Sequence, residues 1–244
     1  MSHDHADRRG TAGVLGAFAV CSALLATVAE TPSAPEERPT VSDLSGSVSP
    51  VSLLAPPDPA TGAGGLDHVS WDSDGIVRVD GHLLVNKSFP LPAWYDPGGL
   101  DPQLVAAFDA MQAEAAQDGV SLRIVSGYRS YADQQDNYQA RVAAAGVEAA
   151  DRGMARPGHS EHQAGLAIDV NDVSASFADT AAGRWVAENA HRFGFVIRYP
   201  DGKEDITGFK YEPWHLRYLD VDLATRLVTA GLTLEEYYGL PSSY

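Results

Sequence analysis

Apolar residues recur at helical spacing between residues 101 and 118, where Leu104, Phe108, Met111 and Ala115 fall on one face. Asp101 supplies a cap, Pro102 takes the first helical position and Gly119 follows the last turn, so the pattern predicts a helix with both ends marked. A second helix is expected from Tyr131 to Ala145, closed by Gly146, and a third from about Ala178 to His191 with Trp185 on its buried face. Two short helices, Val221 to Ala230 and Thr233 to Tyr238, close the chain. Strand-like runs fall at residues 76–86 (with a turn at Asp80–Gly81), Ser121–Val125, the stretch holding Leu166, Ile168 and Val170, Phe193–Tyr199, and Phe209–Leu219. Leu84 to Pro97, LVNKSFPLPAWYDP, reads as an extended segment wrapping the core. Residues 147–159, with Gly153, Pro157 and Gly158, read as a loop. Strands and helices mixed without regular alternation predict an α+β domain, a central antiparallel sheet flanked by helices.

Upstream of residue 69 the pattern changes. Residues 12–29 carry no charge, Arg8 and Arg9 precede them, and Glu30 ends the run. A basic start, an apolar middle and a small-residue exit at Thr27, Val28 and Ala29 describe an export signal cut near Ala29. About 18 apolar residues is also the lower limit for a membrane span, so a retained membrane tether is the alternative. Residues 30–68 are rich in Pro, Ser, Gly, Ala and Glu and short of large apolar side chains, the composition of a disordered linker. The folded domain is expected over 69–244, with its core at about 83–219.

Of 244 residues, 44% are hydrophobic and 20% charged, which is ordinary; a net charge of −16 is not. It argues against nucleic acid as a partner, because phosphate binding needs clustered Lys and Arg. A single cysteine, Cys21, excludes an intramolecular disulfide and a CxxC zinc site, so a metal would need nitrogen and oxygen ligands.

SEHQAGLAID, from Ser160 to Asp169, puts His162 and Asp169 among small and apolar residues, and EPWH adds His215. Two imidazoles and one carboxylate suit zinc and leave a fourth position open, which is the mark of a catalytic site. A base must sit close to that metal. Glu212, three residues before His215, is one candidate and Glu161, beside His162, is the other. Neighbouring strand residues face opposite ways, which counts against Glu161; positions three apart also oppose, so Glu212 needs an irregular strand, as Pro213 between them would provide. Arg129, in SGYRSYADQ (Ser126 to Gln134), follows a strand end and could stabilise an oxyanion with its fork of donors. Ser160, Tyr128, Ser130 and Gln134 are the candidate substrate contacts. His68, His82, His159 and His191 read as ordinary core or surface histidines, and Trp214 as packing beside the site.

SGYRSYADQ, PGHSEHQAGLAIDV and EPWHLRY, in this order and at these separations, resemble the bacterial D-alanyl-D-alanine carboxypeptidase metallopeptidases, a family that includes enzymes of vancomycin resistance. The resemblance runs from about Leu83 to Leu219. It implies a small α+β fold around one Zn2+ held by His162, Asp169 and His215, with Glu212 as base, Arg129 as the transition-state arginine and Ser160 as a substrate contact. Ala164 departs from the hydroxyl residue many members carry there. The implied reaction releases the terminal D-alanine from peptidoglycan stem peptides ending D-Ala-D-Ala, and export would bring the enzyme to that substrate. A D,D-dipeptidase, a peptidoglycan endopeptidase and a non-catalytic wall-binding module are the rival expectations.

Overall fold

The computed structural model describes residues 68–244. The expected export segment at 1–29 and all but the last residue of the expected linker lie outside this range. The described part opens with a three-stranded antiparallel meander of β1 (Val69–Trp71), β2 (Val77–Val79) and β3 (His82–Leu83). The β2–β3 turn is the predicted Asp80–Gly81, and both residues take positive φ, 46° and 85°. A two-residue loop with both φ positive matches the twist of the strands it joins.

The central sheet has four strands: β4 (Ile124–Ser126), β5 (Ala167–Val170), β6 (Phe195–Tyr199) and β7 (Glu212–Tyr218), in the order β4-β5-β7-β6. All its pairings are antiparallel. Helices α1 (Pro102–Gln117), α2 (Tyr131–Ala145), α3 (Val147–Asp151), α4 (Ala181–Asn189), α5 (Glu204–Thr207), α6 (Val221–Ala230) and α7 (Leu234–Tyr238) surround it.

Each face of the sheet has its own partner. Leu104, Phe108 and Met111 of α1 and Trp185 and Val186 of α4 pack with Ile168, Val170, Phe195 and Leu216. Asp101 caps α1 by accepting from the amides of Gln103 and Leu104. Val196, one residue on from Phe195, belongs to a second cluster with Val77, Val79, Leu223 and Leu227. Strand alternation therefore sends Ile168 and Leu216 into the α1–α4 layer and leaves Asp169, His215 and Arg217 on the opposite face. The apolar layer fixes the strands, and the polar face carries the chemistry.

Some expectations shift. The loop expected at 147–159 begins with α3, a five-residue helix of good helix formers. The strand expected at 121–125 forms at Ile124–Ser126, because its ladder is set by pairing with β5 and not by its own apolar run. The third helix is shorter than expected and is flanked by tighter 3-10 turns at Ala175–Asp179 and Ala190–Phe193. α5 carries no apolar periodicity to announce it. Residues 84–97 do wrap the core: Leu91 is buried and donates its amide to the Gly158 carbonyl.

Candidate metal and catalytic site

The site is assembled from two adjacent strands and two loops. Asp169 on β5 and His215 on β7 are direct cross-strand partners. His162 comes from the loop that leads into β5. Two hydrogen bonds lock that loop to the Gly127–Arg129 turn: the Arg129 amide donates to the His162 carbonyl at 3.2 Å, and His162 Nδ1 reaches the Gly127 carbonyl at 2.7 Å. Gly165 lets the loop close. Its φ is +69°, and a Cβ there would lie 2.4 Å from the Gly99 carbonyl oxygen, so only glycine fits.

His162, Asp169 and His215 each place a ligand atom within 4.8 Å of the others, and all three are buried. Asp169 Oδ2 lies 3.5 Å from His162 Nε2, and Asp169 Oδ1 lies 3.2 Å from His215 Nδ1. Ligand atoms about 2.1 Å from a tetrahedral zinc lie roughly 3.4 Å from one another, so these spacings fit the ion. Asp169 Oδ1 is buried without a well-directed hydrogen bond, although His215 is close. A buried carboxylate oxygen left in this state is costly unless a cation completes it. The outer ring nitrogens are occupied: His162 Nδ1 by the Gly127 carbonyl and His215 Nε2 by Glu161 Oε2 at 3.3 Å. The remaining nitrogens are left to face Asp169.

The electrostatics agree. Burial works to raise the Asp169 pKa, but the two imidazoles overcome it and hold the carboxyl well below its usual range. Burial pushes the His162 imidazole down, favouring the neutral form that a metal needs. Burial alone would lower His215 too, but Asp169 and Glu161 raise it to about 9, so a cation entering the site displaces a proton from that ring.

Glu212 faces the same cleft. Ile197 pairs with Leu216, so a regular ladder would set Tyr199 opposite Trp214; Tyr199 pairs with Glu212 instead. The irregularity between Glu212 and Leu216 turns Glu212 onto the His215 side, where both line one cavity of about 270 Å³. Burial, helped by Asp169, raises the Glu212 carboxyl to about 7 against the opposing pull of His215, Lys210 and Arg129. Glu161 is not a free rival. It is 1% exposed; Oε1 accepts from Arg198 and Arg217, and Oε2 from His215.

Arg129 lines the cleft, braced by Gln134 Oε1 at 2.8 Å and Ser126 Oγ at 3.0 Å. Gln134 is fully buried, with its amide nitrogen committed to the Ala155 carbonyl, so it holds the arginine in place. Ser160 and Gln134 line the cavity; Tyr128 and Ser130 are not among its lining residues. The Tyr128 hydroxyl donates to Asp96, and the Ser130 hydroxyl caps α2 through Asp133. Trp214 sits in the main core with one edge on the cavity. His68, His82 and His159 find ordinary partners in Asp80, Asp220 and the Asn86 carbonyl. Sequence reasoning missed Arg141 and Lys210, which also line the cavity. Neither lies in a motif, and only the folding of α2 and the segment before β7 brings them there.

Residues 98–221 match the family described as VanY, D-alanyl-D-alanine carboxypeptidase, and the chain belongs to that family. It is a metallopeptidase of mixed helices and antiparallel sheet, in which His162, Asp169 and His215 could hold the metal ion. The D-alanyl-D-alanine carboxypeptidase of Enterococcus faecalis is 36% identical over 213 residues, 75% of this chain and 78% of its own length. A Bacillus subtilis relative carrying a carboxypeptidase name, YodJ, is 40% identical, with the match spanning 66% of its length. Among solved structures, an L,D-carboxypeptidase DacB from Streptococcus is 38% identical at a TM-score of 0.64, covering 72% of this chain and 97% of that one. A vancomycin-resistance D,D-pentapeptidase VanY mutant in complex with Zn(II) is 38% identical at a TM-score of 0.57, covering 64% and 97%.

Proposed function

We propose that the protein is a zinc-dependent D-alanyl-D-alanine carboxypeptidase that releases the terminal D-alanine from peptidoglycan stem peptides. The observation that carries this reading is the convergence of His162, Asp169, His215, Glu212 and Arg129 on one cleft in a chain of this family. His162, Asp169 and His215 hold the zinc, which when bound lowers the pKa of water and polarises the scissile carbonyl. Glu212 takes the proton from the attacking water and delivers it to the amine of the departing D-alanine as the C–N bond breaks. Its burial keeps the carboxyl near the range where both transfers are feasible at neutral pH. Arg129, held by Gln134 and Ser126, donates to the carbonyl oxygen as negative charge builds on it. Ser160 contacts the substrate from the cavity wall. A related structure, VanYB, is a complex with D-alanine-D-alanine, which supports this peptide end as substrate. That substrate lies outside the cytoplasmic membrane, so we place the protein there, exported through residues 1–29.

A second reading has a specific observation behind it. The L,D-carboxypeptidase DacB covers more of this chain, at a higher TM-score, than the D,D-pentapeptidase does. One experiment separates them: incubate the purified protein with a stem pentapeptide ending D-Ala-D-Ala, the tetrapeptide ending in an L-residue and D-Ala, and free D-Ala-D-Ala. Release of D-alanine from the pentapeptide alone is expected. Preference for the tetrapeptide supports the L,D reading, cleavage of the free dipeptide a dipeptidase, and binding without any cleavage a wall-binding module.

A further inference from the structure

We propose that Glu161 is a positioning residue of the metal site, fixing through Nε2 which nitrogen of His215 the metal receives. Glu161 is the member of the SEHQAGLAID stretch that the reaction leaves unused, and it is among the most buried charges in the protein. Its Oε2 stands 3.3 Å from His215 Nε2, while Asp169 sits at Nδ1 of the same ring. A carboxylate can only accept, so His215 Nε2 must carry the hydrogen and Nδ1 keeps its lone pair for the metal.

What makes the constraint firm is how Glu161 is itself held. Its Oε1 accepts from Arg198 Nε at 2.8 Å and from Arg217 Nη1 at 3.0 Å. Arg198 turns its other two nitrogens to Glu235 on α7, at 2.8 and 2.5 Å. Arg217 spends its remaining donors on the carbonyls of Leu83 and Tyr218. Asn86 closes the cluster by donating to Glu235. Two carboxylates and two guanidinium groups thus balance with every arm directed, and Glu161 has no freedom to rotate. A buried ion cluster contributes little to stability compared with apolar packing of the same volume, so its retention calls for another role. Aiming one imidazole is such a role, and it does not depend on which peptide the enzyme cuts.

The first test uses the unaltered protein. With spin-active cadmium bound and the histidines isotope-labelled, metal–nitrogen coupling is expected at His162 Nε2 and His215 Nδ1, with a retained proton on His215 Nε2. Coupling at His215 Nε2 would overturn the proposal. The second test is Glu161→Gln. The single amide oxygen of that side chain is claimed by the two guanidinium groups, which turns its NH2 toward His215 Nε2 and favours the wrong tautomer. Zinc affinity, measured by chelator competition, is expected to fall about 10–100-fold. Glu235→Gln removes one charge from the same cluster while leaving the bonds of Arg198 and Arg217 to Glu161 in place, and its zinc affinity is expected to stay within about threefold of wild type, since Glu235 touches no metal ligand. A folded Glu161→Gln protein with wild-type affinity, or an equal loss in Glu235→Gln, would refute the positioning role. If Glu161→Gln does not fold, the cadmium couplings decide. Peptide cleavage enters none of these readouts, so a wrong substrate assignment leaves them standing.

Discussion

Two buried polar clusters meet at His215, and they differ in one respect. On the Nδ1 side, His162, Asp169 and His215 crowd together with a carboxylate oxygen left unsatisfied. On the Nε2 side, Glu161, Glu235, Arg198 and Arg217 satisfy one another. Both are walled by the same sheet, so burial does not distinguish them. Completeness does: the unfinished cluster is the one that awaits a ligand, and the finished one supports it.

The largest effect is expected from breaking the unfinished side. Asp169→Ala removes the ligand between the two imidazoles, and the purified variant should hold no stoichiometric zinc and release no measurable D-alanine. A variant that still takes up one zinc per chain would contradict the ligand set. Glu212→Gln should leave zinc content unchanged while lowering turnover by about 10²–10⁴-fold, the usual worth of a positioned acid–base group. Full turnover in that variant would remove the base assignment.

On the finished side the readout is stability. Arg198→Met leaves buried Glu235 without its guanidinium partner and Glu161 with Arg217 as its one guanidinium, and should cost about 3–5 kcal/mol in urea unfolding. A loss below 1 kcal/mol, on the order expected of a surface pair, would mean that the cluster is not a mutual support.

The smallest expected effect is one of pH. Burial lowers the pKa of half-buried His159 below its ordinary value, overcoming the raising influence of its bond to the Asn86 carbonyl. The unfolded chain then takes up a proton near pH 6.5 that the folded one refuses. Stability is therefore kept above pH 6.5 and lost as pH falls through that value toward the folded pKa. His159→Gln should lose less stability than wild type between pH 7.5 and 5.5, compared by urea midpoints; an unchanged or steeper loss would reject the cause.

The contrast between the two clusters also marks what the sequence could convey. The α1 stripe of Leu104, Phe108, Met111 and Ala115, its cap, and the ends of α2 and α6 are local signals, and the structure forms them where the pattern places them. His162, Asp169, His215, Glu212 and Arg129 were visible because chemistry restricts which residue types can do such work. The geometry joining them was not. That Glu212 could face the metal depended on a strand irregularity that Pro213 only suggested, and the pairing of Tyr199 with Glu212 realises it. Glu161 looked like a candidate base because spacing cannot reveal two guanidinium groups arriving from β6 and β7. That the Tyr128 and Ser130 hydroxyls have partners in Asp96 and Asp133, while Gln134 reaches the cavity wall, could not be read from their place beside a motif.

On the proposed reading, three side chains and one zinc make this chain a peptidase. The most direct measurement is metal content and D-alanine release on the same purified sample, before and after chelation and after zinc is restored. One zinc per chain, with release that vanishes on chelation and returns with the ion, is the predicted result. Release that persists in metal-free protein would contradict the account.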